Sequence, residues 1–128
     1  MRTGVDLIEI SRFQTVLAHH GQRFLQRVFT PQEVAAYGSR PASLAARWAG
    51  KEAVAKALGS GIGVVRWRDI EILSDADGAP RLLLHGQAAA RSAELGLSAW
   101  SISLSHTHTL AIAFVVALET ETPPFTAR

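Results

Sequence analysis

The sequence predicts an α+β domain in which an antiparallel sheet packs on one long, alanine-rich helix. Strand patterns stand at both ends of the chain and helix patterns between them, and the strands that can pair in the C-terminal half are joined by short turns. With 128 residues, 48% hydrophobic and 19% charged, the chain can bury one independent core and has a globular composition.

The first strand runs from Thr3 to Ile10, with branched apolar residues on both faces. Ser11 is expected to cap a helix running towards His20, followed by a basic helical turn from Arg23 to Val28. Thr30-Pro31-Gln32-Glu33 is a helix start in which Thr is the N-cap, Pro fills N1 and Glu reaches back to close a capping box. That helix is short and ends near Tyr37-Gly38. Pro41 opens a long helix that runs to Leu58 and stops at Gly59, and its alanines allow another element to approach closely.

Asp69 to Leu73 and Arg81 to Leu84 read as a hairpin turned by Asp77-Gly78, and Gln87 to Leu95 as a short helix ended by Gly96. Trp100, Ile102 and Leu104 then alternate with Ser101, Ser103 and Ser105. After a turn, Leu110, Ile112, Phe114 and Val116 alternate with Ala111, Ala113, Val115 and Ala117. Pairing these strands is expected to put serines and alanines on one low face under the alanine-rich helix. The domain is read as residues 1–119, with a flexible, Pro-containing tail over 120–128.

A formal charge of +2 gives no nucleic-acid footprint. The longest apolar run, Leu110 to Leu118, falls well short of the roughly 20 residues that cross a bilayer. Asp6 sits where a signal peptide would carry apolar residues, and cysteine is absent, so the expectation is a cytoplasmic protein with no membrane partner. Eleven of the thirteen basic residues are arginine, and the two lysines, Lys51 and Lys56, lie on one helix. Such placement suggests a use for compact ammonium groups there.

Several residues can carry chemistry. Asp6 is a carboxylate inside an apolar strand, costly to bury unless paired or metal-bound, although alone it reads as an edge position facing water. Glu52 and Lys56 stand four apart, which alone is an ordinary exposed pair worth about 0.2–0.5 kcal/mol. Trp48 shares their face, and Gly59-Ser60-Gly61-Ile62-Gly63 lets backbone approach a ligand. These glycines follow a helix instead of preceding one, which rules out a P-loop or dinucleotide fingerprint. His106 ends a strand; a His106-x-His108 zinc site lacks a third ligand, and Asp75 to Gly78 does not complete a calcium loop.

Taken together, the motifs resemble the holo-acyl-carrier-protein synthase family of 4′-phosphopantetheinyl transferases. Gly4-Val5-Asp6-Leu7-Ile8-Glu9 resembles its first motif, and Arg47 through Gly59 its signature helix, with Trp48 and Gly50 where the family more often has Phe and Ala. Asp69-Ile70-Glu71-Ile72 and Ser103-Leu104-Ser105-His106 follow in the expected order.

The resemblance implies the 4′-phosphopantetheinyl transferase fold. It also implies transfer of the phosphopantetheine arm of coenzyme A to a serine of apo acyl-carrier protein in fatty-acid biosynthesis, leaving adenosine 3′,5′-bisphosphate. Asp6, Glu52 and Lys56 would be catalytic, with Mg²⁺ held by Asp6 and Glu52 and the general base either Glu52 or a metal-bound water. Arg47, Gly59, Ser60, Gly61 and His106 would bind coenzyme A, and Arg12, Arg23 and Arg27 would dock the acidic carrier. A homotrimer with sites between subunits is expected on the same ground. The alternative is a non-catalytic carrier-protein or coenzyme A-binding module of the same fold, against which the intact Asp6, Glu52 and Lys56 argue.

Overall fold

The structure, a computed structural model, describes residues 1–119; the tail expected over 120–128 lies outside the described residues. Strand β1 (Arg2–Glu9) is followed by α1 (Ile10–Val28), α2 (Pro31–Tyr37) and α3 (Pro41–Leu58). The hairpin β2 (Ile70–Ser74) and β3 (Pro80–Leu84), α4 (Gly86–Glu94) and the strand pair β4 (Leu97–His106) and β5 (Leu110–Glu119) complete the described chain. The main sheet has the order β1-β5-β4 and is antiparallel throughout. The α+β expectation holds, and among the described residues no helix is long and apolar enough to cross a membrane.

Local signals account for most element boundaries. The Thr30 hydroxyl accepts a hydrogen bond from the Glu33 amide while the Glu33 carboxylate accepts one from the Thr30 amide, closing the capping box. Pro41 stands at the first position of α3, and Gly59 ends it in the left-handed conformation (φ 72°) that a Cβ would strain. The last carbonyls of α3 are satisfied from outside the helix: Arg2 donates to the Ala57 carbonyl and Arg91 to that of Leu58.

The expected cap at Ser11 is corrected. The N-cap is Glu9, Ser11 lies inside the helix, and the Ile10 amide donates to the Thr109 carbonyl in the β4–β5 turn (2.9 Å). Burial of Ile10 and Phe13 fixes that start. The basic turn expected after His20 is the continuation of α1 beyond a break at Gly21, whose φ of 51° and ψ of −130° are non-helical.

The faces of the sheet also differ from expectation. Directly opposed residues of an antiparallel pair point to the same side. The register sets Ser101 against Val116, Ser103 against Phe114 and Ser105 against Ile112, and it sets Trp100 against Ala117 and Leu104 against Ala113. Serines and alanines are therefore on opposite faces. The alanine face, with Val115 and the side chains of Ile102 and Leu104, forms the core against Ala49, Ala53, Val54 and Ala57 of α3. Contact is close enough that a Cβ on Gly4 of β1 would lie 1.8 Å from the Ala53 carbonyl oxygen. At Gly50, where a methyl is absent, the Ile72 side chain fills the space. The serine face carries exposed Val5, Leu7, Ile112, Phe114 and Leu118.

A second core, built on Phe13, Phe29, Tyr37 and Leu44, joins α1 and α2 to the first half of α3. Between α2, α3 and β2 lies a fully buried ion pair. Lys51 Nζ donates to Glu33 Oε1 (2.8 Å), to the Trp67 carbonyl (3.1 Å) and to the Ile70 carbonyl. Glu33 Oε2 accepts from the Ile72 amide. Burial pushes the Lys51 ammonium below the usual lysine range, opposed by the Glu33 charge. Replacing Lys51 with alanine leaves Glu33 charged and without its ammonium in the interior. That variant is expected to lose about 3–5 kcal/mol of folding free energy in a denaturant titration, and retention of wild-type stability would show the pair to be dispensable.

Candidate functional site

The residues predicted to be catalytic meet on one side of the fold. Along β1, Gly4, Asp6 and Ile8 point towards α3 while Val5 and Leu7 point away, so the strand's alternation carries Asp6 to the helix instead of leaving it at a solvent-facing edge position. Lys56 Nζ donates to Asp6 Oδ1 (3.0 Å) and to the Val5 carbonyl (2.9 Å). The sequence spacing suggested an ion pair between Lys56 and Glu52; the salt bridge formed is with Asp6.

Glu52, one turn before Lys56, lines a cleft of about 720 Å³ together with Asp6, Glu9, Arg12, Trp48 and Thr109. Its carboxyl is pushed above the usual range, first by burial and then by the Asp6 charge, with Lys56 acting in the opposite direction. The cleft is lined by three carboxylates, Asp6, Glu9 and Glu52, and one guanidinium, Arg12; with the Lys56 ammonium bonded to Asp6, this leaves net negative charge that a divalent cation can offset. Hard-cation chemistry fits: Mg²⁺ takes one or two carboxylates and completes its shell with water and substrate phosphate oxygens. Among the described residues no group of three or more potential metal ligands occurs, so protein side chains alone do not enclose an ion.

Arg47 and His106 meet at a separate depression of about 230 Å³, lined also by Tyr37, Arg40, Ser74 and Pro80. Arg47 is largely committed inside the fold. Its Nε donates to the Ile72 carbonyl (3.0 Å), Nη2 donates to Ser74 Oγ (3.1 Å), and the guanidinium stacks on Tyr37 at 3.5 Å. Burial pushes its pKa down, although arginine stays charged. His106 is exposed, with one long contact from Nδ1 to the Thr107 carbonyl (3.4 Å). Arg40, missed in the sequence, stands beside them. A usable signal was its spacing, since Arg40 and Arg47 are seven residues, two helical turns, apart.

Gly59, Ser60 and Gly61 lie at the C-terminal end of α3, beyond Lys56. Gly59 is twelve positions beyond Arg47, or about 18 Å along the helix, so one chain places these two predicted coenzyme A-binding groups well apart. Arg12, Arg23 and Arg27 are all exposed on α1 but do not form one patch. Arg12 lines the carboxylate cleft, whereas Arg23 and Arg27 lie beyond the break at Gly21, beside His19, His20 and Phe24. Lys51 does not reach the cleft; it is inside, bonded to Glu33.

Comparison with known proteins gives a consistent answer. A holo-[acyl-carrier-protein] synthase of Herpetosiphon aurantiacus is 52% identical over 123 residues, covering 91% of this chain and 97% of its own. One from Moorella thermoacetica is 49% identical over 116 residues, covering 88% and 90%. Among solved structures, the Helicobacter pylori holo-[acyl-carrier-protein] synthase in complex with coenzyme A superposes with a TM-score of 0.83 at 31% identity, covering 91% of this chain and 99% of that one. The Neisseria meningitidis synthase superposes at 0.84 with 35% identity, covering 92% and 98%. With residues 2–115 matching the model of that family, the chain belongs to the 4′-phosphopantetheinyl transferase superfamily.

Proposed function

We infer that this protein is a holo-[acyl-carrier-protein] synthase. It transfers the 4′-phosphopantetheine group of coenzyme A to a serine hydroxyl of an apo acyl-carrier protein in fatty-acid biosynthesis, releasing adenosine 3′,5′-bisphosphate. The observation that carries this reading is the cleft lined by Asp6 and Glu52, with Lys56 bonded to Asp6, in a chain that matches synthases over nearly their whole length. The chain needs no nucleophile of its own, because the reacting hydroxyl arrives on the partner.

Asp6 and Glu52 hold Mg²⁺, which, when bound, supplies Lewis-acid polarisation of the pyrophosphate oxygens. Lys56, held at Asp6 by a 3.0 Å bond, places a positive charge where negative charge develops as the phosphoanhydride opens. Glu52 faces the cleft and is placed to take the serine proton, and a water beside it is the other candidate. Arg47 and His106 contact the phosphates of coenzyme A, with Arg40 beside them. The Gly59-Ser60-Gly61 backbone lines the pantetheine arm. Arg12, Arg23 and Arg27 steer the acidic carrier towards the cleft. The setting is the cytoplasm.

The active unit is a homotrimer with sites between subunits. Two observations support this. Arg47 and Gly59 stand far apart in one chain, and the outer sheet face is apolar, with Leu7 58% and Phe114 46% exposed.

Incubation of the protein with coenzyme A, Mg²⁺ and an apo carrier should add the mass of the arm to the carrier, and a folded protein that adds none would sink the transferase reading. Glu52→Gln should lower transfer by at least roughly 100-fold. The raised Glu52 pKa means that the folded state binds a proton more readily than the unfolded state. Its stabilising contribution is present at acidic pH and is lost as pH rises through the raised value. Without metal, Glu52→Gln should therefore melt slightly above wild type at neutral pH and level with it in acid; a lower melting temperature at neutral pH would make Glu52 structural. Phe114→Glu should shift the sedimentation mass towards the monomer and abolish transfer together. A fully active monomer would refute sites between subunits.

A further inference from the structure

A groove of about 730 Å³ lies where the end of α1, the start of α2 and the segment after α3 meet, away from Asp6 and Glu52. Basic side chains outnumber acidic ones in it, three arginines against two carboxylates. Of its acidic side chains, Glu71 accepts from the Thr30 hydroxyl (2.6 Å) and bonds His85 Nε2 (3.0 Å), while Asp69 accepts from the Arg66 amide (3.2 Å). The guanidinium groups of Arg27, Arg66 and Arg68 are exposed and enter no salt bridge among the described residues. The apolar part of the lining is Pro31, Ile62 and the half-buried indole of Trp67.

The groove is also tied to the carboxylate cleft. Trp67 lines the former, Trp48 lines the latter, and their ring centroids are 6.0 Å apart. Helix α1 bridges the same two places, with Arg12 at the cleft and Arg27 at the groove. The two arginines stand fifteen positions apart in the sequence, on either side of the break at Gly21.

We propose that Arg66 and Arg68 form, opposite Arg27, a second basic contact for the acidic carrier protein, with Trp67 and Ile62 receiving an apolar side chain between the carboxylates. The contact specifies a partner whose acidic residues flank an apolar one. It lies outside the α1 arginines already assigned to docking, and it rests on the transferase reading.

The test is steady-state kinetics of Arg66→Glu/Arg68→Glu and of Arg66→Gln/Arg68→Gln with the apo carrier and coenzyme A, beside a titration of carrier binding. The charge-reversed variant should raise the carrier KM and Kd by roughly tenfold or more, and the neutral variant by less. Both should keep coenzyme A KM and kcat at saturating carrier within about twofold, and both should show a weaker salt dependence of the carrier KM than wild type. Both positions are exposed, so melting temperatures should match wild type. Carrier KM and Kd left at wild-type values in the folded variants would overturn the second contact, as would an equal rise in coenzyme A KM. Wild-type protein that gives no transfer defeats the transferase reading instead, and the binding titration still decides the contact.

Discussion

The ion pair between Lys51 and Glu33 is the constraint on which the placement of everything else depends. Helix α3 meets the sheet through alanines and glycine, a surface that supplies burial and close approach but few projections to fix rotation about the axis. Lys51 supplies the missing direction. Its three acceptors come from α2, the turn before β2 and β2 itself, and the ammonium is satisfied only when all three surround it. Glu52 is the next residue, about 100° around the helix, so seating Lys51 inside turns Glu52 out towards β1. A buried charge is weak evidence of stability but good evidence of register, because misplacement leaves a charge unpaired in the interior.

The cleft that results is electrically incomplete. Three carboxylates, Asp6, Glu9 and Glu52, face Arg12 and the ammonium bonded to Asp6, and Glu52 has its pKa pushed up by burial and by Asp6. A more compact neutralisation, with a second ammonium reaching the same place, was available in the sequence. The fold spends that lysine on Glu33 instead.

Legibility from sequence followed the range of the interactions. The box at Thr30–Glu33, the Pro41 start and Gly59 stop of α3, and the turn at Asp77-Gly78 depend on neighbours within a few residues, and all were readable. The motif of Asp6, Glu52 and Lys56 was readable through family resemblance, whereas the bond from Lys56 to Asp6 in place of Glu52 required knowing which side of β1 faces α3. Pairing register was not readable either: the alternation of Ser101 to Ser105 and of Ala111 to Ala117 fixes two faces per strand but not which face of one meets which face of the other. Ser11 was displaced by Glu9 because the turn at Thr109, about a hundred residues away, holds the helix start. The double use of Glu33, as capping residue and as partner of Lys51, had a local half that was visible and a tertiary half that was not.

The pairing of β1 with β5 has a consequence in time. Every ladder hydrogen bond of β1, from Arg2 opposite Ala117 to Glu9 opposite Leu110, is made to the last described strand. A ribosome that has made Asp6 must therefore make more than a hundred further residues before that carboxylate has a sheet to sit in. Until then the first strand has unpaired amide groups and two apolar faces, a segment for chaperones to shield. Pairing strands so far apart in sequence raises the contact order, which slows folding. The cleft beside Asp6 takes shape only once β1 and β5 have paired.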